Sequence, residues 1–413
     1  MDRLIIEKSP PLSGIINISG AKNAVLPIMA ASILSSGEVL LEDIPWLEDV
    51  IVMERVLSSI GLEIGESGDN LYVKGSDNIK CEAPYELVRK MRASFLIMGP
   101  LLTRMGRVKM ALPGGCNIGS RPVDLHLKGF SAMGADIKMG HGYVEASAAR
   151  LKGSKIYLDF PSVGATENIM MAATLAEGTT IIENAAEEPE IVDLANFLNE
   201  MGARVIGAGT DIIRIEGVDE LKGAHHTVIP DRIEAGTYMA AVAMTGGKAT
   251  IKNVEVEHLR PVIAKLTEIG IIISMGENEI VVDGSNGMGH VDVKTMPYPG
   301  FPTDLQPQMM AMLSVARGTS IIIETVFENR FQHVPELKRM GADIKIEGRS
   351  AVVQGVESLT GAEVRATDLR AGASPVLAGL VADGRTDVVE AQHIQRGYVD
   401  MKGKLEKAGA KIR

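Results

Sequence analysis

Aromatic residues and cysteines are both scarce in this sequence. Aromatics make up 4% of the 413 residues, so the cores must be built from aliphatic side chains, Met and Ala. The two cysteines, Cys81 and Cys116, are too few for a disulfide framework or a cysteine-based zinc site. The opening residues lack a signal-peptide pattern, and no apolar run approaches the roughly 18 residues of a membrane span. We therefore expect a cytoplasmic protein.

A basic surface and the common cofactor motifs are also lacking. The net charge of −11 argues against nucleic acid or an anionic membrane as a partner. There is no P-loop, no dinucleotide-binding glycine motif after a strand, and no histidine cluster, since the adjacent His225 and His226 would point in different directions. We expect no cofactor and no metal. An anionic ligand would need a local cluster of Arg and Lys.

The chain contains six copies of one unit. The signature seen in "FSAMGADI" and "LKRMGADI" recurs at intervals of 68 to 73 residues. Its glycines, each expected to end a helix, are Gly61, Gly134, Gly202, Gly270, Gly341 and Gly409. A second set of glycines precedes apolar or β-branched runs at similar intervals: Gly37, Gly106, Gly178, Gly247, Gly318 and Gly384. Both sets indicate repeats of about 70 residues.

Each repeat begins with a helix that is apolar nearly all round, such as "AGTYMAAVAMTG", and a second, amphipathic helix follows. A helix without a polar face must be surrounded by protein. The pattern therefore predicts an α/β fold of two lobes with three repeats each, apolar helices inside and sheets outside. We expect one lobe over 20–229 and the other over 1–19 plus 230–413. An open solenoid is the alternative, although solenoid repeats are usually shorter, about 20–50 residues.

Lys22 and Asn23 begin the first apolar helix in "SGAKNAVLP". A lysine at a helix N-terminus favours an anion site, because the free N–H groups and the ammonium attract negative charge. The alternative is a solvated lysine beside a helix cap.

Asp304 lies among four prolines in "PYPGFPTDLQPQ", directly before the fifth apolar helix. The prolines would hold the carboxylate in place, as a general base requires. The alternative is that Thr303 or Asp304 is only an N-cap. "PSVGATEN" repeats this loop-to-helix arrangement with Ser162, Val163 and Gly164.

Several arginines occupy similar places in successive repeats, where they are either surface residues or a convergent site for a ligand with several negative charges. They are Arg92, Arg121, Arg330, Arg370 (near Asp368) and Arg396. Cys116 lies in the glycine-rich stretch "LPGGCNIGSRPVDL", five residues before Arg121. This position favours an accessible, ionisable thiol, although an incidental surface thiol is the alternative. We assign no role to Cys81.

Taken together, these stretches resemble the enolpyruvyl transferases of peptidoglycan synthesis. "SGAKNAVLP", the cysteine loop, "SVGATENI", "AEEPEIVDLANFL", "FPTDLQPQ", "ATDLRA" and "HIQRGY" stand in the family's order along essentially the whole chain. The resemblance implies an inside-out α/β barrel pair with a threefold repeat in each lobe. It also implies transfer of the enolpyruvyl group of phosphoenolpyruvate to the 3-hydroxyl of UDP-N-acetylglucosamine, with release of phosphate.

The resemblance further implies roles for individual residues. Cys116 would donate a proton, form a covalent phosphoenolpyruvate adduct and react with fosfomycin, while Asp304 would accept the sugar hydroxyl proton. Lys22, Arg396 and Asp368 would join them in catalysis. The residues implied to bind phosphoenolpyruvate are Lys22, Asn23, Arg121, Arg330, Arg370 and Arg396. Those implied to bind the nucleotide sugar are Arg92, Arg121, Pro122, Val123, Asp124, Leu125, Ser162, Val163, Gly164, Asp304 and Val326.

Two other functions are alternatives. The sister enolpyruvyl transferases of the shikimate pathway share the implied fold and chemistry, but they lack this cysteine. A non-catalytic α/β repeat scaffold would release no phosphate from phosphoenolpyruvate.

Overall fold

The computed structural model describes residues 3–76, 78–112 and 123–413. The described residues divide into two compact units. The N-terminal unit contains those between 20 and 229, and the C-terminal unit contains residues 3–19 together with 230–413.

Apart from the four-residue α3, the helices alternate between buried and amphipathic types along the chain. Their bounds are α1 Lys22–Ala31, α2 Glu48–Ile60, α3 Tyr85–Val88, α4 Met98–Met105, α5 Asp124–Ala132, α6 Val163–Ala173, α7 Pro189–Glu200, α8 Arg232–Met244, α9 Arg260–Glu268, α10 Gln306–Leu313, α11 Val334–Arg339, α12 Ala373–Val381 and α13 Met401–Lys407. Short 3₁₀ turns include Arg92–Ile97, Thr303–Leu305 and Ala391–Arg396.

The strands are short, and most have one buried and one exposed face. Their bounds are β1 Arg3–Glu7, β2 Ser13–Asn17, β3 Glu38–Glu42, β4 Glu63–Ser67, β5 Asn70–Lys74, β6 Arg107–Ala111, β7 Asp136–Met139, β8 Tyr143–Ser147, β9 Lys155–Tyr157, β10 Thr179–Glu183, β11 Arg204–Ile206, β12 Ile212–Glu216, β13 His225–Thr227, β14 Lys248–Lys252, β15 Ile272–Met275, β16 Glu279–Asp283, β17 Val293–Lys294, β18 Thr319–Ile323, β19 Asp343–Glu347, β20 Ser350–Gln354, β21 Glu363–Arg365, β22 Arg385–Val389 and β23 Lys411–Ile412.

Each unit contains three sheets. In the N-terminal unit their strand orders are β13-β3-β5-β4, β6-β8-β7 and β11-β12-β10-β9, and in the C-terminal unit they are β15-β16-β14-β2, β17-β18-β20-β19 and β21-β22-β1-β23. Within the described residues these are six separate sheets, and no hydrogen-bonded ladder closes them into one barrel.

The end of each repeat joins the sheet of another repeat in the same unit. In the N-terminal unit, β9 pairs in parallel with β10, and β13 returns to pair in parallel with β3. In the C-terminal unit, β17 pairs with β18 and β21 with β22, both in parallel, and β2, from the start of the chain, pairs in parallel with β14. Strand β1 lies between β22 and β23, so the start of the chain supplies a strand to the last repeat.

The apolar helices form the interior of each unit, as the sequence predicts. In the C-terminal unit, α8, α10 and α12 pack against one another, and all eight residues of α10 are buried. In the N-terminal unit, α6 packs against α4 and α1. All six glycines of the first signature adopt left-handed φ angles, between 90° and 110°. This conformation, which glycine adopts easily, explains why the signature marks the end of every amphipathic helix.

Candidate active site

Asp304 lies in the 3₁₀ turn Thr303–Leu305, directly before the inner helix α10. Arg330 donates from Nη2 to its Oδ1 at 2.9 Å and from Nε to the main-chain oxygen of Thr303 at 3.4 Å. The N-cap positions of the turn and of α10 are occupied by Pro302 and Leu305, so the capping alternative for Thr303 and Asp304 is wrong. The carboxylate is held by a cation, and its side chain remains 27% exposed.

The buried Glu324 connects this turn to the segment that contains Val326. Its Oε2 accepts a hydrogen bond from Thr303 Oγ1 at 3.0 Å, and its Oε1 accepts from the N–H groups of Val326 at 2.9 Å and Phe327 at 3.1 Å. Glu324 therefore places two predicted site residues, Asp304 and Val326, in one rigid arrangement. In the sequence, Glu324 is recognisable only as an acidic residue directly after a strand.

Asp368 and Arg370 join the same cluster. The Oδ1 atom of Asp368 accepts from the N–H groups of Arg370 and Ala371, both at 2.8 Å. Its Oδ2 lies 3.8 Å from Nη1 of Arg330, and Arg370 Nε lies 3.9 Å from Asp304 Oδ2. The structure thus brings together four residues that the sequence places in three separate motifs.

A fifth member, Asp231, was missed from the sequence. It caps α8 by accepting from the N–H groups of Ile233 at 2.8 Å and Glu234 at 3.0 Å, and its Oδ2 accepts from Arg370 Nη2 at 3.1 Å. Burial alone would lower the pKa of Arg370, but Asp231, Tyr398 and Asp304 raise it above its ordinary value. Arg370 is therefore a permanent buried cation.

Arg370 also fixes the chain next to Arg396. Its Nη1 donates to the main-chain oxygen of Gly397 at 2.8 Å, and its guanidinium lies 5.2 Å from the ring centre of Tyr398. Arg396 ends the turn Ala391–Arg396 and is half-buried.

In the N-terminal unit, Lys22 is the first residue of α1, and the half-buried Asn23 follows it. The ammonium of Lys22 lies 2.6 Å from Oδ2 of Asp49, and the two side chains are only 8% and 4% exposed. The solvated-lysine alternative is therefore wrong. Asp49 lies in the first turn of α2, and nothing in the sequence singled it out as a partner.

The remaining predicted residues of this unit lie at the starts of three helical segments. Arg92 begins the 3₁₀ turn Arg92–Ile97 and is half-buried. Val123 occupies the N-cap position of α5, and Asp124 and Leu125 are its first residues. Ser162 caps α6, where its Oγ accepts from the N–H of Ala165 at 3.4 Å, and Val163 and Gly164 begin the helix.

Cys116, Arg121 and Pro122 lie outside the described residues. The other cysteine, Cys81, is a free and partly exposed thiol on a surface groove of about 830 Å³. The described residues lining this groove include none of the predicted site residues. Cys81 therefore still has no assigned role.

Neither a metal cluster nor a membrane span is found in the described part of the chain. No group of three or more His, Cys, Asp or Glu side chains there could hold a metal ion. Among the helices of residues 3–76, 78–112 and 123–413, none is both long and apolar enough to cross a membrane.

Comparison with known proteins identifies the family. The family model of EPSP synthase (3-phosphoshikimate 1-carboxyvinyltransferase) matches residues 6–405. The chain belongs to this enolpyruvyl transferase family. The resemblance inferred from the sequence motifs is thereby confirmed.

Three relatives within the family share one enzyme name, numbered 1 or 2. A protein of Caldanaerobacter subterraneus subsp. tengcongensis, UDP-N-acetylglucosamine 1-carboxyvinyltransferase 1, is 66% identical over 410 residues, which is 99% of both chains. An enzyme of the same name from Halalkalibacterium halodurans is 61% identical and covers 100% of this chain and 94% of its own. UDP-N-acetylglucosamine 1-carboxyvinyltransferase 2 of Clostridium tetani is 58% identical over 100% of this chain and 99% of its own.

Solved structures of the enolpyruvyl transferase family share the fold. The enolpyruvyl transferase NikO from Streptomyces tendae superposes with a TM-score of 0.91 at 26% identity, covering 100% of this chain and 98% of its own. EPSP synthase from Acinetobacter baumannii superposes with a TM-score of 0.80 at 19% identity, over 100% and 99% of the two chains. The predicted fold class is confirmed.

Proposed function

We propose that this protein transfers the enolpyruvyl group of phosphoenolpyruvate to the 3-hydroxyl of UDP-N-acetylglucosamine and releases phosphate, the first committed step of peptidoglycan synthesis. The observation that carries this proposal is 66% identity, over 99% of both chains, to an enzyme named for that reaction. The shikimate-pathway alternative shares the family model and the fold, but EPSP synthase from Acinetobacter baumannii is only 19% identical to this chain. The scaffold alternative is disfavoured because the family is defined by an enzyme.

The reaction is an addition followed by an elimination. The sugar O3 attacks C2 of phosphoenolpyruvate, the methylene carbon C3 gains a proton, and a tetrahedral ketal forms. C3 then loses a proton as the bond from C2 to the phosphate oxygen breaks, which restores the double bond and releases phosphate. The enzyme must therefore move protons at O3 and at C3 and stabilise the departing phosphate.

We assign the O3 proton to Asp304 and the C3 proton to Cys116. The contact with Arg330 supports the first assignment, because it holds the Asp304 carboxylate in one orientation and leaves its side chain 27% exposed. Asp368 has a positioning role in this proposal, since its Oδ1 accepts from two main-chain N–H groups. The role of Cys116 rests on its sequence context alone.

We assign phosphoenolpyruvate to Lys22, Asn23, Arg121, Arg330, Arg370 and Arg396. The position of Lys22 in the first turn of α1 supports this, because helix N-termini favour anions. Arg330 and Arg370 already bind carboxylates inside the protein, so we expect them to act mainly through their fixed positive charge.

We assign the nucleotide sugar to Arg92, Val123, Asp124, Leu125, Ser162, Val163, Gly164 and Val326, together with Arg121, Pro122 and Asp304. The start of α6 supports this assignment. In the hydrogen bonds of the described residues, the N–H groups of Val163 and Gly164 have no acceptor, so they are available to a phosphate oxygen.

Phosphate release and product mass test the proposed reaction. The purified chain is incubated with phosphoenolpyruvate and UDP-N-acetylglucosamine, shikimate 3-phosphate or no acceptor. We expect phosphate only with the uridine sugar, together with one enolpyruvyl adduct of that sugar. Release with shikimate 3-phosphate instead would favour the sister reaction, and no release with either acceptor would favour the scaffold.

Intact-mass spectrometry with fosfomycin tests the assignment of the thiol. We expect one adduct in the presence of the uridine sugar, mapped to Cys116, and none in Cys116→Ser. The second cysteine provides the matched control, because Cys81→Ser should leave the adduct unchanged. Labelling at Cys81 would contradict the assignment.

Two broader expectations belong to the same proposal. We propose that residues 20–229 and residues 1–19 plus 230–413 act as two substrate-binding lobes. We also propose a cytoplasmic location, which the low number of cysteines supports.

A further inference from the structure

Tyr398, two residues after Arg396, is buried in the C-terminal unit with only 2% of its surface exposed. Its hydroxyl lies 3.0 Å from Oγ1 of Thr237 on α8 and 2.8 Å from Nε2 of Gln308 on α10. The Thr237 and Gln308 atoms are themselves 3.1 Å apart, so the three polar groups form a closed triangle between two inner, apolar helices. Buried hydrogen-bonded networks of this kind hold their members rigidly.

The proton positions in the triangle follow from one main-chain contact. Thr237 donates its only hydroxyl proton to the main-chain oxygen of Ile233 at 2.8 Å. The phenol of Tyr398 must then donate to Thr237, and Gln308 donates to both hydroxyl oxygens. The reverse orientation of the amide would leave the phenol proton as the only one for three contacts. Burial raises the pKa of Tyr398 above its ordinary value and outweighs the opposite effect of Arg370, so the phenol keeps its proton at physiological pH.

The triangle joins three elements that carry site residues. The first is α8, the helix that Asp231 caps, and the second is α10, which directly follows the turn of Asp304. The third is the chain of Tyr398 itself, which continues from the turn that Arg396 ends. One hydroxyl group therefore ties the main chain next to Arg396 to the helix that begins beside the proposed base.

The same stretch of main chain is also held from another side. The main-chain oxygen of Gly397 accepts from Arg370 Nη1 at 2.8 Å, and the ring of Tyr398 lies 5.2 Å from that guanidinium. A Cβ atom placed on Gly397 would lie only 2.9 Å from the main-chain oxygen of Leu369, so the two chains are in close contact. Arg370 thus fixes one side of this stretch, and the triangle fixes it to the inner helices.

We propose that Tyr398 is a positioning residue, whose hydroxyl sets the main chain of Arg396 relative to the turn of Asp304. This inference rests on the proposed function, which assigns phosphoenolpyruvate to Arg396 and the O3 proton to Asp304. An arginine binds a phosphate or carboxylate through a planar fork of N–H donors. A displaced main chain would misalign this fork while leaving its charge in place, and small misplacements of reacting groups cost much of the rate.

Steady-state kinetics of Tyr398→Phe test the role of the hydroxyl. The substitution keeps the ring beside Arg370, and we expect kcat/KM for phosphoenolpyruvate to fall about 10- to 100-fold. The dissociation constant of UDP-N-acetylglucosamine should stay within a few-fold of the wild type. Tyr238→Phe is the matched control and should behave like the wild type, because this buried tyrosine of α8 has a hydroxyl without a hydrogen-bond partner among the described residues. An unchanged kcat/KM in Tyr398→Phe would overturn the inference.

A pair of substitutions on α8 tests the triangle even if Tyr398→Phe fails to fold. Thr237→Ser keeps the oxygen that accepts from the phenol, so it should retain most of the activity. Thr237→Val has nearly the same shape but no acceptor, so its kcat/KM for phosphoenolpyruvate should fall as in Tyr398→Phe. Equal values in the serine and valine variants would contradict the proposed role of the triangle.

A double-mutant cycle separates positioning of Arg396 from a general loss of structure. In an Arg396→Lys background the guanidinium fork is already absent, so Tyr398→Phe should reduce kcat/KM for phosphoenolpyruvate little further. Losses that multiply would show that Tyr398 does not act through Arg396, and the inference would be wrong. Absence of phosphate release by the wild type with the uridine sugar would instead overturn the proposed function.

Discussion

The two units hold their polar site residues in different ways. In the C-terminal unit, two buried arginines, Arg330 and Arg370, bind the carboxylates of Asp231, Asp304 and Asp368, so the charges largely neutralise one another. Buried ion pairs of this kind need good geometry to offset the loss of hydration. This cluster is therefore rigid, and each member depends on the others.

The N-terminal unit instead has donors without protein acceptors. The N–H groups of Val163 and Gly164, at the start of α6, have none among the described residues. Lys22 is the exception, because it pairs with Asp49. We propose from this difference that one unit fixes the geometry of a base, whereas the other offers hydrogen bonds to an anion. The predictions that follow compare these two arrangements.

Removal of the proposed base, the carboxylate of Asp304, should have the largest effect on turnover. Asp304→Asn keeps an acceptor for Arg330 but cannot accept the O3 proton, so kcat should fall about 100- to 10,000-fold. Binding of UDP-N-acetylglucosamine, measured by calorimetry, should change much less than kcat. A variant that retains most of its kcat would contradict the role of Asp304.

Loss of the central cation should destabilise the C-terminal unit strongly. Arg370→Gln leaves Asp231 buried without its ion pair, and breaking such pairs costs about 3–5 kcal/mol in the free energy of unfolding. Urea denaturation provides the measurement. The matched control is Arg385→Gln, which breaks an exposed pair with Asp387 in the same unit and should have little effect.

A double-mutant cycle then tests whether the pair acts as a unit. Asp231→Asn combined with Arg370→Gln should cost clearly less than the sum of the two single substitutions. Additive costs would show that the two groups are energetically independent. This result would contradict the conclusion that each member of the C-terminal cluster depends on the others.

Substitution of Lys22 should weaken the binding of phosphoenolpyruvate and leave the binding of the nucleotide sugar nearly unchanged. Lys22→Met removes a charged donor that we assign to phosphoenolpyruvate, so the KM for phosphoenolpyruvate should rise about 10- to 100-fold. The dissociation constant of the nucleotide sugar should stay within a few-fold. Lys22→Arg retains the charge and should be less impaired. An unchanged KM in Lys22→Met would restrict Lys22 to its structural pair with Asp49.

The smallest expected effect concerns His226, which binds Asp193 at 3.0 Å and Glu200 at 2.9 Å. Burial lowers its pKa, but the two carboxylates outweigh burial and raise it. A raised pKa in the folded state means that protonated His226 contributes stability below about pH 6.5, and that this contribution is lost as the pH rises through the folded-state value. The pKa of the buried His126 is instead lowered to about 3, by burial and by the charge of Arg92, so this residue reduces stability only below about pH 6.5, where the unfolded chain binds a proton that the folded protein does not.

Urea midpoints measured from about pH 6 to pH 8.5 test the expectation for His226. The stability advantage of the wild type over His226→Gln should shrink as the pH rises. A constant difference between wild type and His226→Gln would contradict the raised pKa.

The repeat architecture could be predicted from the sequence because its signals are local. A glycine that ends a helix and a helix without a polar face each reveal their structural role within a few residues. The partners in the site could not be predicted in this way. Asp231, Asp49 and Glu324 each contact a residue distant along the chain, and their sequence neighbourhoods indicate only caps or strand ends. Their roles follow from tertiary packing.

A crystal structure of the protein with phosphoenolpyruvate and UDP-N-acetylglucosamine, trapped in Asp304→Asn, tests the central claim most directly. The account predicts that the side chains at positions 22 and 304, one from each unit, both lie within hydrogen-bond distance, about 3 Å, of the bound substrates. Substrates bound wholly by one unit, with either side chain in a separate pocket, would contradict it.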